Sequence, residues 1–136
     1  MSAIATEPPS VVSENELLAR FILQSNRVRA DGSVKPDAFI PFPLPNLSVT
    51  RHLGWDEEQI WTIGRAVAAA VRKRLHARAD VAARVFTHLR LRVVAAPVED
   101  NPHHANVTDW PADKPSQKAI AQEIAAAAGR AMPATS

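Results

Sequence analysis

The strongest constraint on the fold is one amphipathic segment, residues 56–76. Acidic residues Asp56, Glu57 and Glu58 open it, and basic residues follow near its end, so that both ends complement a helix macrodipole. Apolar residues recur at helical spacing on one side of the segment, at Ile60, Ile63, Val67, Val71 and Leu75. The pattern predicts a long central helix with one buried stripe.

Segments of alternating polar and apolar residues surround this helix and predict short strands. They cover residues 47–51, 78–81, 91–98 and 105–110, and we expect the last two to pair with each other. A short helix is expected over residues 82–89.

Two further helices are predicted from their end signals. Ser13 and Glu16 stand in the spacing of a capping box, and the apolar residues that follow favour a short helix over residues 14–24. Near the C-terminus, Asp113 and Gly129 delimit a second helix.

A proline-rich segment, residues 35–45, separates the first predicted helix from the first strand. Its prolines lack amide donors and fix φ, which excludes a helix or a central strand there. We therefore expect an α+β fold, in which a small mixed sheet of short strands packs against the long central helix and a C-terminal helix. The domain should span residues 13–129, between a disordered tail at 1–12 and a frayed tail at 130–136.

The composition limits the classes of function. A chain of 136 residues is long enough for one core, and the absence of cysteine excludes disulfides, thiolate nucleophiles and Cys-ligated zinc. That absence favours a reducing, cytoplasmic location. No apolar run is long enough for a membrane span, so no membrane association is expected. The formal net charge of +2 does not indicate a nucleic-acid-binding field.

The usual cofactor and hydrolase motifs are missing. The four glycines are far apart, so the chain has neither a phosphate-binding loop nor a Gly-x-Ser-x-Gly elbow. The histidines lack ligand spacing for zinc. We expect no metal and no cofactor.

The densest polar cluster is the segment Asn101–Asn106, which contains His103 and His104. On a strand, neighbouring side chains point to opposite faces, so His104 should share a face with Asn106 and Thr108, while His103 is exposed in the turn. Such a face could hold and protonate a phosphate or a carbonyl. The alternative is a ring that only bonds to the local backbone.

A second candidate site lies at the end of the 47–51 strand. Arg51 and His52 precede the N-terminus of the central helix, a natural position for an anion, and Ser48 is on the same strand. Alternatively, Ser48 and Arg51 face solvent and His52 packs on Trp55.

Basic residues crowd the second half of the central helix and the segment that follows it, at Arg65, Arg72, Lys73, Arg74 and Arg78. Such a cluster could follow a phosphate backbone, although no aromatic residues interleave with it. Their alternative role is to interact with the helix dipole, and Arg78 could form a simple ion pair with Asp80.

Three blocks of sequence stand out as a set: Lys35-Pro-Asp-Ala-Phe39, Leu47-Ser-Val-Thr-Arg51 and Asn101-Pro-His-His-Ala-Asn106. Together they resemble a group of small uncharacterised bacterial proteins. The resemblance implies a bacterial intracellular origin and draws attention to Lys35 in addition to the residues above.

Three hypotheses of function follow. The leading one is a non-catalytic intracellular module that binds a protein partner or an anionic ligand, because every strong catalytic signature is missing. The first alternative is a small enzyme in which Lys35, Arg51 and His104 converge, with His104 as general acid or base and Arg51 as the clamp for an anionic substrate. The second alternative is a nucleic-acid binder that uses the basic end of the 56–76 helix. The oligomeric state stays open.

Overall fold

The computed structural model describes residues 8–134 of the chain, which form one antiparallel sheet and three α-helices. The strands are β1 (Leu17–Ile22), β2 (Leu47–Arg51), β3 (Ala77–Ala82), β4 (Arg92–Ala95), β5 (His104–Thr108) and β6 (Met132–Pro133). The helices are α1 (Glu57–Ala70), α2 (Ala83–His88) and α3 (Lys114–Ala128). The predicted α+β class is therefore confirmed.

The six strands lie in the order β4-β5-β2-β1-β3-β6. Every pairing between them is antiparallel, so the prediction of a mixed sheet is wrong. The reason is the position of β1: it separates β2 from β3, the two strands that α1 connects, and runs antiparallel to both. The expected pairing of the 91–98 and 105–110 segments is confirmed as β4 with β5.

The predicted helix over residues 14–24 is wrong, because residues 17–22 form the strand β1. β1 is buried on both faces, with Leu18 and Ile22 on one and Ala19 and Phe21 on the other. A strand buried on both sides carries a continuous apolar run instead of an alternating one. In so short a segment, such a run imitates the spacing of a helix.

The two faces of the sheet are covered differently. The face that carries Leu18, Val49 and Val107 holds the main core and packs against α2, α3 and a 3-10 helix at Pro36–Phe39; we call it the α3 face. On the other face, the α1 face, Ala19 and Phe21 pack beneath α1. Ser48 of β2 also belongs to the α1 face, but it is exposed. Part of the α1 face therefore stays open to solvent.

α1 is shorter than the predicted 56–76 segment. It ends at Ala70, and Arg72 follows with a φ of 58°, which no α-helix accommodates. The exposed residues Arg72, Lys73 and Arg74 thus lie in the turn after the helix.

Both ends of the described chain contact the domain. Arg51 donates to the carbonyl of Pro9 within the predicted 1–12 tail, whose first seven residues lie outside the described range. Near the C-terminus, Met132–Pro133 pairs with β3 rather than fraying, and the Ala134 amide bonds to the His76 carbonyl. Among residues 8–134, the structure contains no helix of the length and apolarity that a bilayer crossing requires.

Candidate functional site

A cavity of about 430 Å³ opens beside the end of the β1–β2 pairing, and residues from both faces of the sheet line it: Ser48 and Thr50 from the α1 face, Arg20 and Val49 from the α3 face. Its floor includes Ser48 and Thr50 of β2 and His104 of β5, because Thr50 and His104 stand opposite each other in the β2–β5 register. Val67 and Lys73 line it from α1 and the turn that follows, and the 40–46 loop lines it at the start of β2.

Three basic residues line this cavity in addition to His104: Arg20, Arg27 and Lys73. None of the described residues that line it is an Asp or a Glu. We call it the cationic cavity. Its electrostatic potential attracts anions, since no carboxylate in its lining offsets the positive charge.

Arg20 is a cation without a carboxylate partner among the described residues. Its Nε donates to the Ala38 carbonyl at 2.8 Å and its Nη1 to the Ser48 carbonyl at 3.1 Å. Burial lowers the pKa of Arg20 to about 10, and the positive charge of Arg27 contributes to the same shift. Arg20 is nevertheless protonated at neutral pH, and its hydrogen-bond partners within residues 8–134 are backbone carbonyls.

His104 is held in one tautomer by the backbone. Its Nδ1 lies 2.8 Å from the Ala96 carbonyl oxygen, which can only accept, so Nδ1 carries the proton. Nε2 of the neutral ring is then an acceptor, and it has no hydrogen bond to any of residues 8–134. His104 can thus receive a hydrogen bond from a ligand.

The predicted face of His104, Asn106 and Thr108 is confirmed by the register. Asn106 stands opposite Ser48, and His104 stands opposite Thr50. Ser48 lines the cationic cavity, whereas Asn106 is half-buried on the same face beyond it.

The prediction for His103 is wrong: it is buried rather than exposed in the turn. Its ring stacks on Trp55 with the centroids 3.4 Å apart, and its Nδ1 bonds to the Arg51 carbonyl at 2.8 Å. Burial lowers the pKa of His103, and the nearby Arg51 charge opposes protonation further, despite the hydrogen bond to the Arg51 carbonyl. His103, and not His52, is thus the histidine that packs on Trp55.

The structure does not bring Arg51, Lys35 and His104 together. Arg51 stands opposite Leu18 on the α3 face, whereas His104 lies on the α1 face. The Arg51 guanidinium is 1% exposed and is engaged by both Glu16 carboxylate oxygens and by the Pro9 and Val11 carbonyls. Lys35 precedes the 3-10 helix and does not line the cationic cavity. Arg51 therefore cannot be the anion clamp, since Glu16 already occupies it.

His52 belongs to a third cluster, beneath the first turn of α1. Its Nε2 lies 3.0 Å from Asp80, and Asp80 in turn accepts two bonds from Arg78. Arg78 also donates to Glu57 at 2.7 Å, and its guanidinium lies 4.8 Å from the Trp61 ring. The predicted Arg78–Asp80 ion pair is thus present, and the cluster anchors α1 to β3.

The sequence pattern does not bring Arg20, Arg27 and Lys73 to one site, although Lys73 belongs to the basic cluster considered above for nucleic-acid binding. One signal was available: Arg20 interrupts the apolar run of β1, where a charged side chain is rare without a partner. Arg27 carries no local signal, and no local signal places Lys73 at the cavity, because both residues approach it only through the fold.

Residues 8–134 contain no group of three or more His, Asp or Glu side chains that could hold a metal ion. Comparisons with protein-family models, curated proteins and solved structures find no match to this chain.

Proposed function

We propose that the chain is a non-catalytic binding module that takes a small anionic molecule in the cationic cavity. One observation carries the proposal: Arg20, Arg27, Lys73 and His104 line the cavity, and no described acidic residue accompanies them. A cavity of about 430 Å³ also falls within the usual range of small-molecule sites.

The charge of Arg20 supports this proposal energetically. A cation removed from water is costly unless an opposite charge or several hydrogen bonds compensate it. The two carbonyls that Arg20 contacts compensate it in part, and a bound anion would supply the missing negative charge.

Of the two occupants expected from the sequence, a protein partner and an anionic ligand, the cavity favours the ligand. The enzyme alternative loses its support, because its three residues do not converge. In the binding module, His104 has a different role: its Nε2 accepts a hydrogen bond from a ligand that carries an O–H group, such as a phosphate monoanion.

Thermal unfolding in the presence of inorganic phosphate tests the proposal. Binding to the folded state alone raises the unfolding temperature with the concentration of the ligand. We expect phosphate to raise it above the value in chloride of equal ionic strength, and Arg27→Gln and Lys73→Gln to reduce this difference. Arg84→Gln is the matched control, since Arg84 is exposed and does not line the cavity. An equal response of all four proteins would contradict the proposal.

A second candidate function is nucleic-acid binding near the end of α1. Arg65, Arg72, Lys73 and Arg74 are all exposed, and none forms a salt bridge with the described residues. Fluorescence anisotropy with a single-stranded DNA should then show an affinity that falls as the salt concentration rises. For each contacted phosphate, the logarithm of the binding constant should fall by about 0.7 for every tenfold rise in salt concentration. Salt-insensitive or absent binding would exclude this function.

A further inference from the structure

We propose that the anion has an apolar body: an organic carboxylate or phosphate ester whose charged group pairs with Arg20 and Arg27 and whose hydrocarbon part covers Phe42 and Leu44. The inference rests on the proposed function and names its ligand class. It depends on three properties of the cavity, namely its apolar lining, its exposed rim and its volume.

Apolar side chains make up much of the lining. Phe21 of β1, Val67 of α1 and Ile40 of the 40–46 loop line the cavity together with the cations. Small-molecule sites combine a mostly apolar lining with a few polar groups that fix orientation. An inorganic anion would use the cations and leave the apolar lining in water.

The 40–46 loop exposes two large apolar side chains that also line the cavity. Phe42 is 52% exposed and Leu44 is 66% exposed. The loop cannot easily turn them inward, because prolines at 41, 43 and 45 fix its φ angles. The Phe42 amide bonds to Gln117 at 3.3 Å, and the ammonium of Lys114 lies 5.7 Å from the Phe42 ring, so α3 anchors the loop as well. Adjacent exposed apolar groups at a cavity are typical of a binding surface.

The volume of the cavity exceeds that of a small inorganic ion. A water molecule takes about 30 Å³ in the liquid, so a cavity of about 430 Å³ accommodates a ligand with many non-hydrogen atoms. Hydrocarbon that replaces water next to apolar side chains adds a favourable hydrophobic contribution to binding.

Isothermal titration calorimetry with four probes tests the inference: octanoate, octyl phosphate, octanol and inorganic phosphate. We expect octanoate or octyl phosphate to bind at least about tenfold more tightly than octanol and inorganic phosphate, because only these two combine charge with an apolar chain. The stronger of the two identifies the head group.

The four probes distinguish a failure of the proposed anion site from a failure of the inferred apolar body. If inorganic phosphate binds as tightly as octyl phosphate and octanoate, the apolar body is wrong but the proposed anion site stands. If octanol binds as tightly as the charged probes, the cavity is only apolar and the anion site is wrong. If no probe binds, both proposals fail.

Two variants test the position of the ligand. Leu44→Ser should weaken binding of the preferred octyl probe at least about threefold, since exposed Leu44 would lose its contact with the chain. Val98→Ser is the matched control, because Val98 is 51% exposed and lies outside the cavity. Equal binding by Leu44→Ser and the native protein would overturn the inferred position of the apolar body.

Discussion

The Arg51–Glu16 pair shows how single residues connect distant segments of this domain. Arg51 Nε and Nη2 bond to the two Glu16 carboxylate oxygens at 2.7 and 2.8 Å, and Glu16 also accepts the Ser13 amide. Burial would raise the pKa of Glu16, but the hydrogen bonds from Arg51 and Ser13 outweigh it, so the pKa lies below its ordinary value. The pair therefore stabilises the fold through a charged carboxylate.

Removal of the Glu16 charge should cost substantial stability. Glu16→Gln leaves the buried Arg51 cation without its counter-charge, and breaking such a pair costs about 3 kcal/mol. Urea denaturation measures the loss. Glu123→Gln is the control, since Glu123 is exposed and forms no salt bridge with residues 8–134. A loss no larger than that of the control would show that the pair contributes nothing.

His103 should make the free energy of unfolding depend on pH below about 6.5. Burial lowers its pKa below the ordinary value of 6.5, so the unfolded chain binds the proton more readily than the folded one. Its contribution is complete above pH 6.5 and is lost as the pH falls through the folded-state pKa. Glu16, with a lowered pKa, begins to lose its contribution only below 4.5.

We expect the free energy of unfolding to fall as the pH drops below 6.5, and His103→Gln to flatten this slope. Denaturant titrations at a series of pH values measure it. His88→Gln, at an exposed histidine, should retain the native slope. If His103→Gln retains it as well, another group is responsible.

At the scale of elements, the packing of α1 on β1 depends on a glycine. A Cβ atom added at Gly64 would lie 2.6 Å from Cε1 of Phe21 and 2.8 Å from its Cδ1. Gly64 therefore lets the helix approach the strand closely.

Gly64→Ala should destabilise the protein by about 1–2 kcal/mol. Alanine is the better helix former by about 1 kcal/mol, but the overpacking against Phe21 costs more. Thermal or urea unfolding measures the net effect. Thr62→Ala, on the exposed side of the same helix, should not destabilise. A Gly64→Ala protein more stable than the native one would contradict the observed packing.

The sequence predicts those elements whose signals are local. α1 begins where expected because Asp56 and Gln59 form a capping box, and α3 because Asp113 caps it and Gly129 follows it. β1 shows that local signals can predict the wrong element. Ser13 and Glu16 do form part of their capping interaction, but no helix follows, since pairing with β2 and β3 makes the segment a strand. Tertiary contacts of this kind override local propensity.

At the scale of the whole molecule, local sequence signals predict only part of the candidate site. Strand alternation places His104 and Asn106 on one face, and the structure confirms it. The sequence does not show that Arg51 points to the opposite face with Glu16 as its partner. Nor does it show that Arg27 and Lys73 reach the cavity, since their positions follow from the order of the strands and the end of α1.

The division of the sheet into two faces explains where binding can occur. The α3 face is filled by the main core, whereas α1 covers only part of the other face and leaves Ser48 exposed. The cationic cavity opens where Ser48 is exposed, and Leu47 and Val49 of the main core also line it.

An NMR titration with octyl phosphate tests the central claim most directly, because it locates the bound anion on the structure. We predict saturable shifts of the backbone amides of Ser48, Thr50, Lys73 and His104, which line the cavity, and unchanged amides in the exposed part of α3. Arg27→Gln should weaken these shifts. Their absence, or shifts confined to α3, would contradict it.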